Sequence, residues 1–475
     1  MTRSVLIIGA GPAGLTAASR ALDRDASVTL LDAADQLGGQ YWRHAPATAA
    51  EPTDARLQHG WGTFSRLRDA LEADPRCRVL RSAHVWAIEN GPRVTVHALL
   101  GPADGTHRTA QTFRPDALVL ATGAHDRTLP FPGWDLPGVY TAGAAQALAK
   151  SEGIALGSRV VVAGAGPFLL PVGASLTATG ARVLGIFEAS RVRRLVNGWL
   201  RHPWQLLGSA AKAAELAGYV GHQLRRRIPY FPGHAVIAAH GGGAVDSVTI
   251  ARLDATWSPI AGTERRLATD AVCVSHAFTP RLELPIAAGC RIGADGFVAV
   301  DDHQCSTVAG VYAAGEITGI AGADAALAEG AVAGHCAAGG TPADPTIRGS
   351  VRARSRSRQF AGRMAAAHGV GPGWRGWLTD ETLVCRCEEV SYGRIRKVAA
   401  ETPDAGLRSL KLSTRACLGS CQGRICGRTV ADLLGRDGST DHRPIAIPIR
   451  LGELAQEQQS QDQQQQDQQP RSPRH

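Results

Sequence analysis

The chain has 475 residues, enough for two or three domains with large buried cores, and no apolar run of membrane-spanning length. The net charge is +9, but the basic residues are nearly all arginine, with only four lysines, and no basic stripe is interleaved with aromatics. That pattern excludes a single-strand nucleic-acid binder and gives no sign of a nucleic-acid partner.

Ser4 to Ala10 reads as a short buried strand running into GAGPAG, so Gly9, Gly11 and Gly14 fit G-x-G-x-x-G. A helix is expected from Ala13 to about Arg24, then a second strand ending at Asp32. The spacing is that of a dinucleotide turn. Gly9 permits the tight bend, Gly11 admits a pyrophosphate, Gly14 allows close helix–strand packing, and Asp32 meets a ribose hydroxyl. The fingerprint alone would also suit a glycine-rich turn in another α/β protein. Glycines break the first apolar run and an acidic, turn-rich stretch follows, so no signal peptide is read and a cytoplasmic protein is expected.

Two later segments add to this. DALVLATGAHDR is a strand reaching Ala121, Thr122 and Gly123; VAGVYAAGEITG is another, ending at Gly315 and Glu316 before a helix from Ala321 to about Ala338. Fingerprint, ATG and late GE together resemble the two-dinucleotide-binding flavoproteins, which include glutathione- and thioredoxin-reductase-like enzymes. The resemblance implies FAD, held around Gly39 of the LGG loop, Thr122, Gly123 and Gly315, with Glu316 accepting from a ribityl hydroxyl. The following helix then faces the flavin pyrimidine. Disulfide reduction is not expected, because no cysteine lies between Gly38 and Arg76 and no C-x-x-C between Gly157 and Asp270.

GSRVVVAGAGPFLLPVGASLTATGARVLGIFE repeats the strand–turn–helix–strand pattern. Gly164 and Gly166 match the fingerprint, but Leu169 stands at its third position and should push the helix away. Glu188 ends the second strand, where an acid would meet an adenosine ribose. NAD(H), another nucleotide or nothing are all open here, and Arg191 and Arg193 leave NADP open. Two basic helices should follow, with apolar faces including Val196, Trp199, Leu200, Leu206 and Leu207, packed on their own domain or on a partner rather than on a membrane. Ser275, His276 and Ala277 stand where relatives have a glycine-rich strand end; His276 is not taken as a catalytic base.

Five of the ten cysteines are scattered; Cys385, Cys387, Cys417, Cys421 and Cys426 are clustered. In a cytosolic chain, clustering favours metal or redox chemistry over a disulfide frame. Soft thiolates suit an iron–sulfur cluster or zinc, but neither C-x-C nor C-x4-C is the usual zinc knuckle. VCRCEEV with TRACLGSCQGRIC resembles the bacterioferritin-associated-ferredoxin-like [2Fe–2S] domain. That resemblance implies Cys385, Cys387, Cys421 and Cys426 as ligands, with Cys417 a spare.

From Ser4 to about Leu434 the chain also resembles the large A or alpha subunits of opine oxidases, hydrogen cyanide synthase and D-hydroxyproline or proline dehydrogenases. The likeness is carried by LGGQYWR, LPFPGWDLPGVYTAGAAQALAK, GAGPFLLPVG, AAGEITGIAGADAALAEG and the cysteine motifs. It implies a D-amino-acid-oxidase-like beta subunit that oxidises the substrate, often a small ferredoxin-like subunit, and in some relatives a further FMN or an ATP in the second nucleotide domain. The expected fold is α/β, with two Rossmann-like domains, the second inserted in the first, and a small, mainly helical iron–sulfur domain. The expected divisions are 1–150 with 271–340 for FAD, 151–270 for the second nucleotide and 341–375 as a linker, in which TPADPTIRGSVRARSRSR leads to a helix before the cluster domain. The cluster domain is 376–436, and the tail 437–475 loses order after Leu434 and is disordered from about 454, where glutamine-rich sequence begins. No general base for amine oxidation stands out. The expected function is an electron-transfer subunit of a heteromeric amino-acid or opine dehydrogenase. The alternatives are a self-contained NAD(P)H-dependent reductase of a ferredoxin-like acceptor, and a non-enzymatic iron–sulfur assembly or redox-sensing protein.

Overall fold

The computed structural model describes residues 2–45, 58–201, 210–435 and 445–455. The amino-terminal sheet has five parallel strands in the order Val311–Ala313, Ala117–Leu120, Ser4–Ile8, Ser27–Leu31 and Cys77–Leu80. The inner strands read almost wholly as Val, Leu and Ile because both faces are covered, one by helices and the other by antiparallel strands that include Val85 and Val96. In register, Ile8 pairs with Leu31 and Leu120, and Leu120 with Ala313. Gly9, Asp32, Ala121 and Ala314 therefore leave the sheet at the same carboxyl edge, the edge where such sheets bind ligands.

Two helices lie back to back on this sheet, Pro12–Leu22 and Ala323–Ala337. Their approach is set by two glycines. A Cβ at Gly330 would lie 2.1 Å from the Ala13 carbonyl oxygen, and one at Gly334 would lie 2.0 Å from that of Ala17.

After Leu120 the chain leaves for a second parallel sheet, ordered Tyr230–Pro232, Arg182–Glu188, Arg159–Ala165, Ala271–His276 and Val139–Thr141. It returns to the first sheet at Val311. The two crossings, Ala124–Asp126 and Phe278–Pro280, pair antiparallel with each other. Each parallel sheet carries a three-stranded antiparallel sheet: Ala83–Glu89, Thr95–Leu100 and Thr109–Phe113 on the first, His234–His240, Ser247–Arg252 and Arg265–Ala268 on the second. The inserted double-domain α/β fold expected from the sequence is the fold present.

Three local expectations change. Most of the stretch expected as a linker is the 21-residue helix Arg348–His368, packed on Ala323–Ala337 and on Val192–Trp199. Its crossing with the latter needs Gly198, where a Cβ would lie 2.5 Å from the Ala367 main chain. Order also continues beyond Leu434. Ile445, Ile447, Ile449 and Leu454 pack against Trp86, Ala87 and Leu99. Glu453 there makes a two-pronged ion pair with Arg108, both contacts 2.7 Å. Isoleucine at every second position gives Ile445, Ile447 and Ile449 one half-buried face, an extended-chain signal that the short segment hides in sequence. The glutamine-rich stretch 456–475 lies outside the described residues. Of the two basic helices, Val192–Trp199 is seated by Trp199 against Phe360, while Val192, Val196 and Leu200 face outward; Leu206 and Leu207 lie outside the described residues. Among the described residues no helix is long and apolar enough to cross a membrane.

Candidate cofactor site and cysteine module

At the carboxyl edge of the first sheet, Gly9 has φ +104°, and a Cβ there would lie 2.3 Å from the Ala121 oxygen. Gly14 abuts the same turn: its Cβ would lie 1.7 Å from the Gly9 oxygen. Gly11 faces Gly39, which has φ +60° and whose Cβ would lie 2.9 Å from the Gly11 Cα. The three fingerprint glycines and Gly39 thus act by lacking side chains, and the helix Pro12–Leu22 begins at once after Gly11. Asp32 accepts from the Ala10 amide at 2.5 Å and the Ala34 amide at 2.8 Å, and burial pushes its carboxyl up while these donors offset the rise.

Gly9, Gly11, Asp32, Gly39, Thr122, Gly123, Gly315 and Glu316 all line one cavity of about 3290 Å³; Gly14 packs behind it. The Glu316 carboxyl is pushed up to about 7, chiefly by burial, with the Gly322 amide opposing and Glu329 adding to the rise. Glu329, which the sequence motifs do not single out, is 5% exposed and accepts from the Gly315 amide at 3.0 Å and from Thr318 Oγ1 at 2.5 Å. Its one signal is an acid inside an otherwise alanine- and glycine-rich helix. Lys150 is likewise outside the motifs. It is buried on the cavity wall, donates to the Tyr41 carbonyl at 3.2 Å, and burial brings its ammonium down to about 8.

The second fingerprint is built differently. A Cβ at Gly164 would lie 1.7 Å from the Ser275 oxygen, so that glycine is required by packing. The helix Leu169–Ala178 starts three residues after Gly166, with Leu169 wholly buried beneath it. Gly166 lines the cavity, but Glu188 does not: it is 0% exposed. Its carboxylate accepts from the Gly166 amide at 3.0 Å, the Ser190 amide at 2.9 Å and the Tyr230 hydroxyl at 3.5 Å. His368 Nδ1 stands 3.2 Å from Glu188 Oε2, while Trp199 donates to His368 Nε2 at 3.2 Å. Tyr230, His368 and Trp199 line the cavity where Glu188 is expected from sequence to do so. Arg191 and Arg193 face a separate depression. At the departure from the glycine-rich pattern, Ala277 adopts φ +77°, and His276 is buried, its Nδ1 accepting from the Leu129 amide.

The cysteine module consists of the short pair Leu383–Cys385 and Val390–Ser391 with the helices Tyr392–Glu401, Leu407–Thr414 and Gly427–Leu434. Cys385, Cys417 and Cys426 are buried, Cys421 is half-buried and Cys387 is exposed. Contact with Cys426, then burial, pushes the Cys385 thiol up, so that sulfur remains protonated unless a metal takes the proton's place. Among the described residues no group of three or more His, Cys, Asp or Glu is already arranged to hold a metal ion.

The module is fixed to the cavity through its CQGRIC turn. Arg424 donates to Glu283 at 2.8 Å and to the Ala446 carbonyl at 3.0 Å, and its own carbonyl lies 2.8 Å from His125 Nε2. Arg127 pairs with Asp432 at 2.6 Å, and Trp134 donates to the Leu383 carbonyl at 2.5 Å. Arg424, Ile425 and Arg428 line the same cavity as Gly123 and Glu316.

Residues 3–203 and 219–330 match the family described as Pyridine nucleotide-disulphide oxidoreductase. The chain is 33% identical over 475 residues to the A subunit of the opine oxidase of Rhizobium meliloti (strain 1021), covering 95% of this chain and 98% of that one. It is 29% identical over 461 residues to the HcnB subunit of the hydrogen cyanide synthase of Pseudomonas protegens, covering 91% and 92%. In fold it is similar to the L-proline dehydrogenase of P. horikoshii, with TM-score 0.65 and 19% identity over 96% of this chain and 79% of that one. Fingerprint geometry, sheet order and relatives agree: the chain belongs to the pyridine nucleotide-disulphide oxidoreductase family and is an FAD-dependent oxidoreductase homologous to subunits of multi-subunit oxidases.

Proposed function

We propose that the chain is the FAD- and [2Fe–2S]-containing electron-transfer subunit of a heteromeric dehydrogenase of an amino acid, imino acid or opine. It would work in the cytoplasm, between a partner flavin subunit and a one-electron acceptor. The observation that carries this reading is the shared cavity: the CQGRIC turn and the first dinucleotide site contribute walls to one space.

FAD fits the residues present. Gly9, Gly11 and Gly39 leave room for a pyrophosphate, and Asp32 and Glu316 stand where ribose and ribityl hydroxyls would be met. A thiolate-held group fits the donor set, with three thiols buried together and two more on the same loops. By the resemblance, Cys385, Cys387, Cys421 and Cys426 would hold it, with Cys417 a spare. When bound, FAD takes up an electron pair and a [2Fe–2S] group exchanges single electrons. Arg424 and His125 hold the two sites in fixed relation.

The sealing of Glu188 favours this reading over a self-contained NAD(P)H reductase. An acid that is fully buried behind the cavity wall and already accepts from two amides and Tyr230 presents no face to a ribose. Relatives named as oxidase subunits support a partner chain. The resemblance assigns that partner to the D-amino-acid-oxidase type, and a small ferredoxin-like protein is a further candidate. The test is co-expression with an oxidase-like subunit encoded beside it, assayed for dye reduction by proline, hydroxyproline and opines. The reading expects turnover only with both chains; full turnover by either chain alone contradicts it.

A further inference from the structure

The helix Val192–Trp199 presents an apolar stripe to solvent. Toward the protein it turns Gly198, buried against Ala367, and Arg194, which donates to the Ala366 carbonyl at 3.3 Å. Val192, Val196 and Leu200 recur one turn apart on the outer side and are 57%, 47% and 53% exposed. A helix that serves only its own domain buries such a stripe.

The charge beside the stripe has one sign. From 191 to 201 the chain carries four arginines and no acid. Arg191, Arg193, Arg194 and Arg201, with Asn197 and Trp257, line a depression of about 740 Å³ to which no carboxylate contributes. The helix begins with no side-chain cap and no acid in its first turn, so its free amides add to the positive field. Guanidinium groups crowded without a counter-charge repel one another, and their planar forks match phosphate oxygens. The next helix, Ala210–Arg226, repeats the pattern at the edge of the main cavity. Its Leu216, Val220 and Leu224 are exposed at the same spacing, Gln223 is buried, and Arg225, Arg226 and Arg227 are exposed at its end.

We propose that these two helices form a peripheral membrane-docking surface. The arginine depression takes the phosphate groups of anionic phospholipids, and Val192, Val196 and Leu200 enter the boundary between headgroups and acyl chains. An apolar stripe and a cluster of cations are the two signals that stable, reversible anchoring requires. A partner chain would need an acid for each clustered arginine, whereas an anionic leaflet supplies one sign of charge everywhere. The electron-transfer reading does not depend on this surface.

The test is co-sedimentation of the full-length protein with vesicles of phosphatidylcholine alone or mixed with phosphatidylglycerol, at low and at physiological salt. The double variants Val196→Gln with Leu200→Gln, and Arg193→Gln with Arg201→Gln, change exposed side chains only, so flavin content and Tm should stay those of the parent. The proposal expects binding to the mixed vesicles that weakens as salt is raised, and little binding to phosphatidylcholine. Each double variant should bind about tenfold or more weakly. No binding to the mixed vesicles, or binding that both double variants retain, overturns the proposal. Displacement by inorganic phosphate at constant ionic strength, with the Val196 and Leu200 variant binding normally, also overturns it and makes the depression a site for a soluble phosphate compound. Indifference to vesicles, together with an oxidase-like subunit that co-purifies with the parent but not with the Val196 and Leu200 variant, overturns it in favour of a protein partner.

Discussion

His125 Nε2 and the main-chain carbonyl of Arg424 lie 2.8 Å apart across 299 residues of sequence, joining the first interdomain crossing to the cysteine turn. A carbonyl only accepts, so the imidazole proton sits on Nε2. Burial pushes the His125 pKa down, which keeps the ring neutral. The Arg424 side chain continues the junction to Glu283 and Ala446. Arg424→Ala should therefore destabilise the protein by about 1–3 kcal/mol and leave Glu283 unpaired. Limited proteolysis should show faster cutting within residues 445–455, where Arg424 holds Ala446. Arg424→Lys should recover part of the stability, because it keeps the charge but not the fork.

The helix pair under the first sheet gives a sharper steric prediction. Gly330→Val places its Cβ about where the Ala13 oxygen limits approach, and Gly14→Ala does the same against the Gly9 oxygen. Neither contact is with a flexible side chain, so the backbones must part. Both variants should retain little flavin, measured as absorbance per protein after desalting. Gly62→Ala, which meets nothing within 4 Å, is the control that should retain it all.

Acid stability should reveal His276. Burial, and secondarily the charge of Arg127, brings its pKa from 6.5 to about 3. Between those values the unfolded chain binds a proton that the folded one refuses. The stability this residue contributes is thus whole above pH 6.5 and falls as the pH drops toward 3. From pH 7.5 to pH 5 the loss is about 2 kcal/mol. His276→Asn keeps an acceptor for the Leu129 amide and should flatten that part of the stability–pH profile in denaturant titrations.

Lys150 offers the opposite case, a buried ammonium on the cavity wall that donates to a main-chain carbonyl rather than to a carboxylate. At pH 7 it remains protonated at a cost. Lys150→Met should raise the midpoint of urea unfolding, by about 1–3 kcal/mol in stability. A fall in that midpoint would mean that the lysine is held by more than the Tyr41 carbonyl.

The first dinucleotide site is legible in sequence because its determinants are absences. Glycines at Gly9 and Gly14 are needed where backbones touch, and alternating strands and helices fix their order. Glu188 misleads for a physical reason. Its position at a strand end is that of a ribose-binding acid, but its partners, Tyr230 and His368, come from 42 and 180 residues downstream, and no local pattern announces them. The arginine-rich first half of the helix Arg348–His368 reads as a linker leading to a helix because its apolar positions are few. As a helix it is held by Arg354 and Arg358 on Gln304 and by the contact at Gly198, all long-range. The cysteine spacing announces soft-ligand chemistry, but only the folded module shows that Cys385, Cys417 and Cys426 are the buried thiols.

Whether electrons reach this chain from a partner rather than from a nicotinamide nucleotide is tested most directly by anaerobic spectra of the purified chain, before and after addition of NADH or NADPH. With Glu188 sealed, the flavin and iron–sulfur bands should stay oxidised for minutes. Bleaching of the flavin within seconds would contradict a partner-fed subunit and make the chain a reductase in its own right.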